Sequence, residues 1–220
     1  MADAIHKLFR INLLYMPWKR ILRDVKSYLE YPVWFWVRGQ SAPDNHYHKM
    51  KRIAHLARRY GCETFIETGT YYGQTVNYAA RPFRQVMSVE IFEPLYEYNR
   101  KQFAHRPEIR LFLGDSSQQL KAMIAESQGR ILYWLDGHYS GSGTGIGEDV
   151  SPILNELDLI RQHARRGDCL LIDDLRLFGH DAGYPTVEET LEAIRRIDPA
   201  YHTYFDCDCI VAVPGADKQS

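Results

Sequence analysis

The stretch Thr64-Phe65-Ile66-Glu67-Thr68-Gly69-Thr70-Tyr71-Tyr72-Gly73 constrains the fold more than any other part of the chain. An apolar run stops at an acid and a glycine, turns, and gives way to helical periodicity. That order predicts a buried strand over 64–67 and a helix over 73–80. The same grammar then repeats. Strands are expected over 85–90, 109–113, 131–135 and 169–173, with helices over 94–104, 118–127, 152–164 and 187–197. Such alternation specifies an α/β domain whose largely parallel sheet carries helices on both faces. Two closing strands, 201–206 and 209–213, are joined too tightly for anything except an antiparallel hairpin.

Residues 1–45 read as a helical extension and 46–220 as the α/β domain. In the extension, Trp18, Ile21, Leu22, Val25, Tyr28 and Leu29 share one helical stripe, and Pro17 suits the first helical position. The aromatic run Trp34-Phe35-Trp36 is expected after this helix, followed by a turn at Ser41-Ala42-Pro43-Asp44. A second helix carries Tyr47, Met50, Ile53, Ala54 and Ala57 and ends at Gly61. The stripe is expected to pack on the domain or on a second copy in a homodimer. Peripheral membrane contact is the sharper alternative, because residues 1–60 hold 12 Lys/Arg against 4 Asp/Glu.

The net charge of −1 leaves the remainder at −9, an acidic body that argues against a nucleic-acid partner. No apolar stretch approaches the ~20 residues of a bilayer span, and the start lacks a secretory pattern. Cys62, Cys169, Cys207 and Cys209 are too scattered for a disulfide scaffold, so a cytoplasmic setting is expected. Cys207-x-Cys209 has no second Cys or His pair at zinc spacing and is read as structural.

The turn has the form Glu-x-Gly-x-x-x-Gly, which is neither the dinucleotide fingerprint nor the phosphate loop ending in Gly-Lys-Ser/Thr. With an acid at its mouth and no Lys, it would repel a triphosphate. A cationic ligand with ribose hydroxyls fits better, and S-adenosylmethionine (SAM) answers that description. The plainer reading is a glycine turn that lets helix and strand pack. Against it stand the other strand ends, since ligands of open α/β sheets bind at the carboxyl ends of the strands. Glu90 ends the second strand, 23 residues after Glu67, where a ribose-binding acid belongs. Gly114-Asp115-Ser116 follows the third, Asp136-Gly137-His138 the fourth, and Asp173-Asp174 closes the fifth.

On these residues the sequence resembles the class I SAM-dependent methyltransferases, over about residues 46–213. The resemblance implies a Rossmann-like seven-stranded sheet of order 3-2-1-4-5-7-6 with strand seven antiparallel. It places Glu67 and Gly69 beside the methionine part of the cofactor, Glu90 at the ribose and Asp115 with Ser116 at the adenine, with Thr70, Tyr71 and Gly73 also in the cofactor site. Asp136 would border the cofactor too.

A narrower resemblance is to metal-dependent O-methyltransferases of the catechol and macrocin types, in which acids end strands four and five. It implies a Mg²⁺ ion held by Asp136, Asp173 and Asp174, with Asp136 and His138 as catalytic residues and His138 as the base. Gly137 is inserted between acid and histidine relative to the catechol pattern. Uncharacterised methyltransferase-like proteins share Leu-Asp-Gly-His-Tyr-Ser-Gly and Ile-Asp-Asp-x-Arg-Leu-Phe, which bears on fold and not on acceptor. The loop 137–147, with five glycines in 11 residues, would close over the acceptor. Arg176, His180, Asp181 and Tyr184 on the next loop suit a hydroxylated small molecule or a sugar.

Two other enzyme classes fit less well. A short-chain reductase needs Tyr-x-x-x-Lys downstream of the glycine turn, and here that spacing occurs only upstream, at Tyr15/Lys19 and Tyr47/Lys51. A glycosyltransferase could use Asp206-x-Asp208, but that pair is expected in a hairpin turn far from the strand-end rim. The alternative from another class is a non-catalytic methyltransferase fold serving as a binding or membrane-docking module.

Overall fold

A computed structural model describes residues 17–37, 44–136, 152–163, 165, 167–181 and 184–215. Seven strands form one sheet: β1 (Cys62–Thr68), β2 (Gln85–Glu90), β3 (Ile109–Leu113), β4 (Arg130–Leu135), β5 (Cys169–Ile172), β6 (Tyr201–Asp206) and β7 (Cys209–Pro214). Their order is β3-β2-β1-β4-β5-β7-β6, with β7 antiparallel to β5 and to β6. This is the expected topology.

The described helices are α1 (Pro17–Val37), α2 (His46–Tyr60), α3 (Gln74–Ala79), α4 (Glu93–Gln102), α5 (Ser116–Glu126), α6 (Ile153–His163) and α7 (Val187–Ile197). A single 3₁₀ turn covers Leu175–Leu177. Helix α5 begins two residues earlier than expected because Asp115 caps it, its Oδ1 accepting from the Ser117 amide at 2.8 Å.

Alternation along the central strands divides the core into two layers. Phe65, Leu132, Trp134, Leu171 and Val211 face α2 and α3, packing with Met50, Ile53 and Val76. Ile66, Tyr133, Leu135, Leu170 and Ile172 face the opposite helices, packing with Leu120, Leu157 and Ile194. Cys62, Cys169 and Cys209 are free thiols, and all three are buried.

The parallel pairing places the ends of β1, β2, β4 and β5 on one rim: Thr68 pairs with Leu135, Leu135 with Ile172, and Glu67 with Ser88. Because β7 runs antiparallel, with Ile172 opposite Ile210, the β6–β7 turn lies at this same rim. The expectation that Asp206-x-Asp208 sits far from it is therefore wrong, and the reversed direction of β7 is the reason.

Helix α1 also departs from expectation. It continues through Pro32 and takes in the aromatic run. Tyr28, Tyr31 and Trp34, three residues apart, form a stripe of their own, and they meet Tyr47 and His48 of α2 at ring-centroid separations of 5.0–5.9 Å. Ser27 hydrogen-bonds to Asn45 at 2.8 Å beside them. Of the predicted apolar stripe, Tyr28 therefore packs on α2, whereas Leu22, Val25 and Leu29 are 46–66% exposed. Among the described residues, no helix is long and apolar enough to cross a membrane.

Candidate active site

The end of β1 carries a buried chain of polar groups. Thr70 Oγ1 lies 2.7 Å from Ser88 Oγ, and Ser88 donates to Glu67 Oε2 at 2.8 Å. Glu67 is 1% exposed. Burial pushes its carboxyl well above the usual range, and the nearby Asp136 and Glu90 charges add to this against the Ser88 and Thr75 hydroxyls.

Glu90 organises the turn itself. Its Oε2 accepts from the Tyr71 amide at 2.8 Å and its Oε1 from the Phe92 amide at 2.9 Å. A carboxylate has about four acceptor positions, so both oxygens retain capacity for ribose hydroxyls. Tyr71 stands at φ 48, a left-handed conformation that the Glu90 bond and Asn99 Nδ2, donating to Tyr71 O at 2.6 Å, hold in place. Gly69 and Thr70 both donate their amides to Val89 O, at 3.1 and 3.0 Å. Gly73 serves packing: at φ +71, an added Cβ would lie 2.4 Å from Asn99 Oδ1 and 2.7 Å from the Phe103 ring.

At the start of α5, Asp115 Oδ1 is engaged by the Ser117 amide and hydroxyl, at 2.8 and 2.7 Å. Behind this turn stands Glu156, a fully buried residue of α6 that the sequence reading missed. Thr68 Oγ1 donates to Glu156 Oε2 at 3.3 Å, whereas Glu156 Oε1 is buried with no hydrogen-bond partner among the described residues. Burial, then the charges of Asp115 and Asp136, push this acid up to about 7.

The ends of β4 and β5 bring together Asp136, Asp173 and Asp174, each offering an oxygen within 4.8 Å of the others. Three carboxylate oxygens are a hard donor set, and Asp173 Oδ1 is buried without a hydrogen-bond partner. The residues present therefore fit a hard divalent cation. Trp134 Nε1 lies 3.4 Å from Asp136 Oδ2. Asp174, at φ 61, accepts from Arg176 Nη1 at 2.6 Å, and Asp208 binds both the Arg176 amide and its guanidinium. The hairpin acid thus buttresses the rim.

A second group missed in the sequence is Lys49 of α2. Its ammonium pairs with Asp173 Oδ2 and lies 5.6 Å from the centroid of the Trp134 ring. Burial works against its charge, but Asp173, Asp136 and Asp174 more than compensate and hold the ammonium above its ordinary range. Asp173 is also raised, by burial first, because one ammonium does not offset both that burial and two neighbouring acids.

Helix α2 is clamped around Lys49. Arg52 bonds Asp44 at 2.6 Å and Asp206 at 2.8 Å, and His48 Nε2 lies 3.4 Å from Asp206 Oδ1 and 3.8 Å from Cys207 Sγ. Cys207 therefore has a histidine neighbour that linear spacing did not reveal. Of the remaining loop residues, Tyr184 packs edge-on against Phe178 with centroids 5.5 Å apart. His138 and the glycine-rich loop 137–147 lie outside the described residues.

No protein-family model matches the chain, and no curated protein matches its sequence. Solved structures do match. The O-methyltransferase from Bacillus cereus in complex with SAH is 16% identical, with a TM-score of 0.55 over 79% of this chain and 83% of that one. TomG, an O-methyltransferase from Streptomyces achromogenes involved in tomaymycin synthesis and solved with SAM, is 14% identical, with a TM-score of 0.55 over 90% of each chain. The N-methyltransferase NodS from Bradyrhizobium japonicum is 12% identical, with a TM-score of 0.51 over 76% of this chain and 95% of that one. The sheet order and these likenesses establish the class I methyltransferase fold. The fold does not choose the acceptor atom, since both O- and N-methyltransferases share it.

Proposed function

We propose that the protein transfers the methyl group of SAM to a hydroxyl of a small molecule or sugar. One observation carries this reading: carboxylates at the ends of β1, β2, β4 and β5 line a single rim of a methyltransferase fold, Glu67, Glu90 and Asp173 buried and Asp136 half-buried, and burial raises the Glu67 carboxyl in a way that a positive charge beside it would offset. A sulfonium beside Glu67 would supply that charge, and Glu90 would fix the ribose. The resemblance assigns Asp115 and Ser116, at the start of α5, to the adenine.

The hydroxyl acceptor follows from the acid cluster, whose donor set suits Mg²⁺ bound by Asp136, Asp173 and Asp174. When bound there, such an ion would lower the pKa of a hydroxyl and fix its direction. In the transfer, the hydroxyl oxygen forms a bond to the methyl carbon as the carbon–sulfur bond breaks, the electron pair staying on sulfur. The hydroxyl proton goes to a base, and His138, two residues beyond Asp136, is the residue we propose for it. Asp136, hydrogen-bonded to Trp134, would orient the acceptor. The non-catalytic alternative predicts no turnover with any acceptor.

Incubating the protein with methyl-labelled SAM and a panel of phenols, sugars and amines tests the proposal. Label should pass to hydroxylated acceptors, and a chelator should reduce the transfer until Mg²⁺ is restored. Label appearing on amines alone would contradict the choice of hydroxyl.

A further inference from the structure

We propose that Lys49 is the resident cation of the Asp136, Asp173 and Asp174 cluster, and that a divalent ion binds there only by displacing its ammonium. The inference rests on the cation-site reading of that cluster and is independent of the identity of the methyl donor.

Lys49 reaches the cluster from outside the sheet, on a helix whose position is imposed by its neighbours. His48 at one side and Arg52 one turn later tie α2 to Asp206, and Arg52 also holds the buried Asp44. The backbone of Lys49 is therefore fixed, while its four-carbon stem is free to carry the ammonium inward or outward. Inward, the ammonium meets Asp173 Oδ2, an oxygen the ion would need, and lies 5.6 Å from the Trp134 ring centroid. The Lys49 side chain keeps 17% exposure against 1% for Asp173, so the ammonium has a path to solvent.

Three carboxylates this close would repel one another if left without a cation. Arg176 is committed to Asp174 and Asp208 on the far side. Lys49 is what faces Asp173, and a divalent ion on the same carboxylate would sit within a few ångströms of the ammonium. The repulsion between them makes the two occupants exclusive. When the ion enters, the ammonium turns outward toward solvent. The ion's apparent affinity is then reduced by the fraction of molecules in which Lys49 has left the cluster.

Calorimetric titration of the metal-free, full-length protein with Mn²⁺ tests this on the wild type, Lys49→Met and Lys49→Met/Asp173→Asn. With circular dichroism verifying the fold, Lys49→Met should bind Mn²⁺ at least about tenfold tighter than the wild type, and the added Asp173→Asn change should remove the gain. Equal or weaker affinity in folded Lys49→Met would overturn the proposal, as would Mn²⁺ binding to neither protein.

If Lys49→Met does not fold, the wild type alone decides. Labelling of Lys49 by an amine-directed reagent, read by mass spectrometry, should rise on saturation with Mn²⁺, and unchanged labelling would refute displacement. SAM binding measured in parallel separates this proposal from the functional one. Its absence would sink the donor reading and leave the Mn²⁺ comparison standing.

Discussion

Thr68, at the last position of β1, donates its hydroxyl to Glu156 on α6 across 3.3 Å, joining the donor rim to the helix that follows the glycine-rich loop. Both residues are fully buried. The bond holds one oxygen of an acid whose other oxygen has no hydrogen-bond partner among the described residues, so an ionised Glu156 is poorly compensated.

That imbalance makes stability depend on pH. Glu156 titrates at about 7 in the folded protein against 4.5 ordinarily, so its contribution is complete below about 4.5 and lost as pH rises through about 7. Glu156→Gln should flatten the stability curve over this window. At pH 8 it should be more stable than the wild type by about 3 kcal/mol, an order-of-magnitude figure from the size of the shift. Urea unfolding of both proteins across the window checks it, and parallel curves would contradict the account.

Glu67 predicts a proton count. Burial raises its carboxyl in the free protein, and a sulfonium placed beside it would favour the ionised form. SAM binding should therefore release more protons than binding of SAH, which lacks the sulfonium charge. Calorimetry in buffers of different ionisation enthalpy measures the difference. Equal proton release for the two ligands would place the sulfonium elsewhere.

Gly73→Ala should destabilise the fold by about 2 kcal/mol or more, because its Cβ would press on Asn99 Oδ1 at 2.4 Å in a left-handed backbone. Asn99 also holds the Tyr71 carbonyl, so SAM affinity should fall along with the melting temperature. A variant with wild-type stability would show that α4 yields more readily than its packing implies.

Much of this was legible in the chain because strand ends in an α/β fold are readable. An apolar run that stops at Glu67, Glu90, Asp136 or Asp173 marks both the end of a strand and the rim on which ligands sit. Lys49 and Glu156 were not legible. Each lies on a helix, among His46, His48, Lys51 and Arg52 in one case and beside Asn155 and Asp158 in the other. Charges there read as a solvated face, and only packing shows which of them turns inward.

Asp208 was misplaced for a related reason. A hairpin's location depends on which edge β7 joins and in which direction, and local sequence does not state either. The aromatic run belongs to α1 and not to the segment after it, because the Tyr28, Tyr31 and Trp34 stripe docks on α2 through Tyr47 and His48, contacts that local sequence does not state.

Calorimetric titration of the full-length protein with SAM, wild type beside Glu90→Ala, bears most directly on the claim that the strand-end acids hold the methyl donor. The account predicts saturable binding to the wild type. It predicts a loss of about 10- to 100-fold in the variant, from the ribose contacts and the two turn amides that Glu90 anchors. Absence of heat with the folded wild type at millimolar SAM, or equal affinity for both proteins, would contradict it.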